Sequence, residues 1–323
     1  MSGNDSAQAP ATSVPAAAAG FRRWLRANST LAASLGALSL IVAAVLVLPL
    51  VLPDPNLPDP INRLLPPSAA HWLGTDNYGR DVWSRLVSGG RVSLGLAAAV
   101  TIAATIAGSL VGLVSGFFRP LDAALMRLMD AGLAFPGIVL AMALAIVMGA
   151  GAWSEFIALT VIFTPTTARV VRSRVLSLAT RDFIAAARAS GMGPGKILVK
   201  HVIPHTLPLI LVQLVIKAAL AMLIDGGLSY LGLGVAPPTP TWGNMIAEGR
   251  AFMTNAPLLI IAPGLAIVLC VALLNIAGDE LRLIVDPDAR ALRALERLRS
   301  RMRREPAAAR AAVVDTAARR PGP

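Results

Sequence analysis

Six apolar blocks, separated by shorter polar and basic segments, dominate the hydropathy pattern of the chain. They cover residues 31–52, 92–118, 129–150, 153–171, 207–224 and 258–277. A helix needs roughly 20 mostly apolar residues to cross the hydrocarbon core of a bilayer. The pattern therefore predicts six transmembrane helices and an all-α integral membrane protein. Pro136 lies inside the third block, where we expect it to kink the helix.

The distribution of basic residues predicts which helix ends face the cytoplasm. If the N-terminus lies inside, 23 of the 29 Lys and Arg residues fall in inner segments and four fall in outer segments. Cytoplasmic loops of membrane proteins carry an excess of Lys and Arg. Both termini are therefore expected to be cytoplasmic.

The alternation of apolar and polar segments predicts five regions. The first apolar block is too long for the core of a signal peptide, and no cleavage site follows it directly, so we interpret it as a retained helix. The regions are a cytoplasmic N-terminal tail (1–30), the first transmembrane helix (31–52), an extracytoplasmic segment with an amphipathic entrance helix (53–91), a five-helix core with a cytoplasmic loop at 172–205 (92–281), and a basic cytoplasmic C-terminal tail (282–323).

Composition and charge support a membrane protein and argue against other classes. The chain is 55% hydrophobic and only 15% charged, whereas soluble domains carry about 25% charged residues. The net charge of +11 comes from bases that flank the apolar blocks, and only 5% of the residues are aromatic. We therefore expect membrane lipid as a partner and no nucleic acid.

No catalytic or metal site stands out in the sequence. The chain has three His, one Cys and no His-Glu-x-x-His motif. Residues 193–196 are similar to part of a phosphate-binding loop, but Ser190 replaces its first glycine and Ile197 replaces its magnesium-binding hydroxyl residue. We therefore expect no enzyme, no metal site and no cofactor bound by this chain.

Three segments resemble one family at specific positions. Residues 71–86 read HWLGTDNYGRDVWSRL, and residues 228–243 read LSYLGLGVAPPTPTWG. Both resemble segments of the permease subunits of peptide ABC importers, in particular the C-type subunit of the dipeptide, oligopeptide and nickel group. Residues 185–191, AAARASG, together with Pro204 resemble the motif that couples such permeases to their ATPase subunits, although Ala185 stands where that motif has Glu.

The resemblance implies a fold, a set of partners and a function. It implies the type I ABC importer permease fold in the bacterial cytoplasmic (inner) membrane. The partners would be a homologous B-type permease, two ATPase subunits or domains, and an extracytoplasmic substrate-binding protein. ATP and magnesium would bind in the ATPase subunits, while this chain would form half of a pathway for dipeptides or oligopeptides. Nickel or another small solute is the alternative cargo.

The loop between the fourth and fifth blocks carries the expected contacts with the ATPase. These coupling candidates are Phe183, Ala185, Ala186, Ala187, Gly191 and Pro204. Thr180 or Asp182 is expected to cap a short helix, and Gly191 to end it in the left-handed conformation. Pro194 is expected to start the next helix. The small alanines would let the helix enter a cleft of the ATPase, with Phe183 as an apolar anchor; an ordinary interfacial loop is the alternative.

Polar residues in and after the fifth block are candidates for the translocation pathway. Lys217 lies near the middle of the block, where a charge exposed to lipid is costly. Gln213 lies one turn before it, and Asp225 is expected close to the outer surface. The pathway candidates are therefore Gln213, Lys217 and Asp225. In the alternative interpretation, Lys217 snorkels outward or pairs with a carboxylate of the partner permease.

Charged residues of the segment after the first helix are candidates for contact with the binding protein. They are Asp76, Arg80 and Asp81. In the alternative interpretation, these residues and His71 cap and fix the amphipathic entrance segment 82–87.

Two other functional classes make different demands on the sequence. An ion-coupled secondary transporter would need several carboxylates within its spans, and none lies in the middle of a block. A membrane enzyme would need a cluster of polar catalytic residues. Both classes are therefore disfavoured.

Overall fold

The computed structural model describes residues 28–285, and the regular elements of this part of the chain are helices. The predicted tails 1–30 and 282–323 therefore lie almost wholly outside the described residues. Ten α-helices follow one another within residues 28–285: α1 Ser29–Val47, α2 Val82–Phe117, α3 Arg119–Leu133, α4 Gly137–Met148, α5 Ala152–Ala179, α6 Asp182–Ala189, α7 Pro194–Ile197, α8 Ile203–Tyr230, α9 Trp242–Gly249 and α10 Leu258–Val285.

Four helical stretches are long and apolar enough to cross a membrane. They correspond to the first, second, fifth and sixth predicted blocks, and their mean hydropathy lies between 2.1 and 2.7. Their bounds are Ser29–Leu50, Val82–Phe117, Pro194–Tyr230 and Leu258–Ile284. These helices confirm an all-α protein with several apolar spans.

The third predicted block forms two helices rather than one kinked helix. Helix α3 ends at Leu133, α4 begins at Gly137, and the two are bent by 84°. The reason is Pro136, which lacks a backbone N–H and disfavours helical geometry at the residue before it. Pro136 itself adopts an extended conformation, with φ −57° and ψ 128°. The expected kink at Pro136 is therefore confirmed, and it is a full break between two helices.

Helix α5 extends past the fourth predicted block into the predicted cytoplasmic loop. Its C-terminal half carries arginines that pair with carboxylates of α3. Arg172 binds both carboxylate oxygens of Asp122 at 2.6 Å, and Arg169 binds Asp130 at 2.6 Å. These ion pairs hold the amphipathic helix α3 against α5.

Helix α2 packs most closely against α5 along a seam of glycines. Gly108, Gly112 and Gly116 recur once per turn on one face of α2. A Cβ atom added at Gly112 would lie 2.6 Å from the carbonyl oxygen of Ala168 and 2.8 Å from Cβ of Val171. The absence of side chains on this face is what lets the two backbones approach.

The buried apolar residues form two clusters. The larger cluster joins α2, α5, α8, α9 and α10. The smaller cluster lies where the C-terminal halves of α2 and α5 meet α6, α7 and the short π-helix Leu198–Val202. The smaller cluster therefore fixes the position of the predicted coupling loop.

Candidate functional sites

Helix α6 is the short helix predicted in the coupling loop. Its last turn closes on Gly191, whose φ of +77° lies in the left-handed region, as predicted. The N–H of Gly191 donates to the carbonyl oxygen of Arg188 at 3.0 Å, and the N–H of Met192 donates to that of Ala187 at 3.1 Å. Pro194 starts α7, also as predicted.

The predicted cap at the start of α6 is wrong. The N-cap residue is Arg181, whose side chain makes no capping hydrogen bond. The hydroxyl of Thr180 donates to the carbonyl oxygen of Ser177 at 3.0 Å, so it belongs to the end of α5. Asp182 already lies in the first turn, where its negative charge still favours the helix N-terminus.

The alanines of α6 do not share one face. Ala185 and Ala186 are exposed, but Ala187 is only 8% exposed and faces the smaller apolar cluster of this chain. Residues three apart share a helix face, so fully buried Ile184 turns Ala187 inward with it. The expectation that Ala187 belongs to the surface offered to the ATPase is therefore corrected.

The remaining coupling candidates lie around the start of α8. Phe183 is 39% exposed, and its ring stacks on His205 with 5.1 Å between the ring centroids. Pro204 is exposed in the first turn of α8. Nδ1 of His205 lies 2.6 Å from the carbonyl oxygen of His201. The contact between Phe183 and His205 was not predicted, because nothing local in the sequence links residues 22 positions apart.

A buried network of four charges fixes the segment between α1 and α2. Nε of Arg80 donates to Asp76 at 2.6 Å, and its Nη2 donates to Glu248 of α9 at 2.9 Å. Nη2 of Arg85 donates to the same oxygen of Glu248 at 3.2 Å, and its Nε lies 3.5 Å from Asp76. Asp76, Arg80 and Arg85 are each less than 7% exposed. Two residues that the sequence did not single out, Arg85 and Glu248, thus complete this network.

Asp81 caps α2. One of its carboxylate oxygens accepts from the N–H of Ser84 at 2.7 Å, and the other lies 3.0 Å from Nδ1 of His71. This is the capping arrangement named above as the alternative. The predicted entrance segment 82–87 forms the first turns of α2, with no break before Phe117. Contact of Asp76, Arg80 and Asp81 with a binding protein stays a prediction.

Loss of a partner from this network is expected to destabilise the protein strongly. In Asp76→Ala, the buried guanidinium groups of Arg80 and Arg85 would keep Glu248 as the one carboxylate of this network, at an expected cost of about 3–5 kcal/mol. Asp130→Ala is the matched control, because it breaks an ion pair whose two side chains are more than half exposed. That change should cost at most about 1 kcal/mol. Thermal unfolding of the purified variants measures both, and equal losses would contradict the prediction.

The pathway candidates of α8 lie largely inside this chain. Lys217 is 4% exposed; its Nζ donates to Oγ1 of Thr166 at 2.6 Å and lies 5.1 Å from the ring centroid of Phe163. Lys217 therefore faces protein rather than lipid, which is what the cost of a lipid-exposed charge leads one to expect. Gln213 is half-buried, and Asp225 is 3% exposed. A role of these residues along a pathway stays a prediction.

Asp225 faces a residue that the sequence analysis missed. Glu155, in the first turn of α5, is fully buried and interacts with the Asp225 carboxyl group. A signal was available, because Glu155 is the one acidic residue in the fourth apolar block.

The comparison with known families decides what kind of protein carries these sites. Residues 104–291 match the family described as the inner membrane component of binding-protein-dependent transport systems. The chain belongs to this family. The resemblance predicted from the three sequence segments is therefore confirmed, and the protein is a multi-pass inner-membrane permease.

Curated relatives of this permease match most of its length. A putative peptide transport system permease protein of Brucella suis biovar 1 (strain 1330) is 37% identical over 82% of this chain and 90% of its own. A dipeptide transport system permease protein of Alkalihalophilus pseudofirmus is 40% identical over 71% of this chain and 76% of its own. A probable peptide ABC transporter permease protein of Sinorhizobium fredii is 40% identical over 75% of this chain and 83% of its own.

A solved structure shares the fold of this permease. A chain of the inward-facing MetNI methionine ABC transporter superposes with a TM-score of 0.53. The match covers 62% of this permease and 96% of that chain, at 21% sequence identity. At this identity the likeness describes the fold alone.

Proposed function

We propose that this permease forms half of the translocation pathway of an ATP-driven importer of dipeptides or oligopeptides. The observation that carries the proposal is the 37% identity to the Brucella suis peptide permease over 90% of that protein's length. The segments 71–86 and 228–243, which resemble peptide permeases, support the same cargo.

In this proposal the permease works with partners and hydrolyses no ATP itself. A homologous permease completes the pathway, two ATPase subunits bind ATP and magnesium, and a substrate-binding protein delivers the peptide. The exposed face of α6, with Phe183, Ala185 and Ala186, enters the ATPase, while Gly191 ends α6 and Pro204 lies in the first turn of α8. The buried side of α6 transmits the movement to α5 through Ile184.

The proposed topology has six spans with both termini in the cytoplasm. The bent pair α3–α4 supplies the third crossing, and α5 supplies the fourth. An Ala185→Cys variant should then react with a membrane-impermeant maleimide only after the membrane is opened. Labelling of the native protein should be weak, because Cys270 is its single cysteine and is 1% exposed. Labelling of residue 185 in intact cells would contradict this topology, because it would place the loop outside the cytoplasm.

Uptake by a reconstituted importer tests the function. Proteoliposomes that contain this permease and its genomically adjacent permease, ATPases and binding protein should accumulate a labelled dipeptide or oligopeptide only when ATP is enclosed. Nickel uptake without peptide uptake would assign the alternative cargo. Uptake driven by an ion gradient with no ATPase present would contradict the importer class.

A further inference from the structure

Two carboxyl groups meet in the interior where α5 begins. Glu155 is 0% exposed and Asp225 is 3% exposed. Both carboxylate oxygens of Glu155 are enclosed, and within residues 28–285 neither receives a hydrogen bond from a donor group. Asp225 is the titratable group that faces Glu155. Such a buried, unsatisfied carboxylate would be expensive if it were ionised.

Asp225 has the better polar surroundings of the two. The hydroxyl of Ser229 donates to its Oδ1 at 3.3 Å, and Ser93 of α2 also interacts with its carboxyl group. The Ser93 hydroxyl oxygen in turn accepts the N–H of Trp242 at 3.1 Å, at the start of α9. Asp225 is thus linked to α2, α8 and α9 as well as to Glu155.

No cation neutralises this pair within the described part of the chain. None of the ion pairs involves Glu155 or Asp225, and the ammonium of Lys217 is bound to Thr166 instead. Like charges that face each other in a low-dielectric interior cannot both be ionised. Hydrogen-bond donors stabilise the charged form of a carboxyl group. Asp225 accepts from Ser229, whereas neither carboxylate oxygen of Glu155 has a donor within the described residues. The charge therefore belongs on Asp225 and the proton on Glu155.

We propose that Glu155 and Asp225 form a proton-binding site, in which one proton on Glu155 makes a carboxyl–carboxylate hydrogen bond that joins α5 to α8. The bond satisfies Glu155 and adds a hydrogen-bond donor to Asp225. Loss of the proton would leave two buried negative charges facing each other and would weaken the contact between the helices. This proposal does not depend on which solute the permease carries.

Infrared spectroscopy of the full chain in lipid nanodiscs tests where the proton lies. At neutral pH the wild type should show the carbonyl band of a buried protonated carboxylic acid. Glu155→Gln, which keeps the shape and one N–H donor, should lack this band. Asp130→Asn, which removes an exposed carboxylate, should retain it. If Glu155→Gln does not fold, Asp225→Asn should change the frequency of the band, because the acid loses its carboxylate acceptor.

The pH dependence of thermal unfolding supplies an independent readout. A proton held by the folded protein and released by the unfolded chain makes stability decrease as pH rises. Between about pH 6 and about pH 9, the ratio of folded to unfolded wild type should fall by up to about tenfold per pH unit relative to Glu155→Gln. A difference that stays constant over this range would overturn the proposal.

Two further outcomes would also overturn it. The first is absence of the protonated-acid band from the wild type at neutral pH, or its persistence in Glu155→Gln. The second is a wild type that lacks the band but is stabilised at fixed pH when sodium chloride replaces choline chloride. The second result would show that the pair holds a sodium ion rather than a proton.

Discussion

Ala186→Arg is expected to reduce ATP-driven uptake at least about tenfold while the permease stays in the membrane at its normal level. Ala186 lies on the exposed face of α6, beside Ala185, so a larger side chain there does not have to enter the apolar cluster. An arginine there adds bulk and positive charge where the proposed cleft of the ATPase must close around the helix. ATPase subunits should co-purify less with the variant, or hydrolyse ATP without responding to the loaded binding protein.

Two comparisons separate this effect from general damage. Ala251→Arg places the same side chain on an exposed turn that the proposed topology puts on the opposite side of the membrane, and it should leave coupling intact. Ala187→Arg would force a charge into the cluster around Val171 and Val175, so the amount of folded permease itself should fall. Uptake and ATPase stimulation at wild-type level in Ala186→Arg would exclude α6 as the coupling element.

Gly112→Leu is expected to cause a large loss of stability, of about 3 kcal/mol. Its first side-chain atom alone would lie 2.6 Å from the carbonyl oxygen of Ala168, and a backbone atom cannot rotate away as a side chain can. Helices α2 and α5 would have to separate along the glycine seam. The yield of monodisperse protein and the midpoint of thermal unfolding measure the effect.

Gly95→Leu is the matched control for the glycine seam. Gly95 belongs to the same helix, but it is exposed and a Cβ there would meet no atom within 4 Å. Any helix-propensity difference between glycine and leucine applies to both variants, and it favours leucine. A similar loss of stability at both positions would mean that close packing at Gly112 is not the cause.

Features encoded within a short stretch of sequence could be predicted. The apolar blocks of α1, α2, α8 and α10 are long enough to identify themselves by hydropathy alone. The turn after α6 could also be predicted, because Gly191 and Pro194 each favour one backbone conformation. The family resemblance has the same local character, since it rests on continuous segments.

Features that depend on which helix faces pack against each other could not be predicted from local sequence. Ala185, Ala186 and Ala187 are chemically identical, and only the packing of Ile184 against α5 distinguishes them. The ion pairs that join Arg80 and Arg85 to Glu248 link residues more than 160 positions apart. Glu155 was overlooked for the same reason, since its meaning depends on a second carboxyl group on another helix. Such pairings follow from the tertiary arrangement rather than from local pattern.

The network of Asp76, Arg80, Arg85 and Glu248 has a consequence for the conditions in which this permease works. Its two positive and two negative charges balance, and most of them are shielded from water, so dissolved ions reach them poorly. A bacterium controls the ionic strength of its cytoplasm more closely than that of the medium outside. The proposed topology places this network on the side that faces the medium, so the surface proposed to receive a binding protein should keep its shape in dilute and saline surroundings alike.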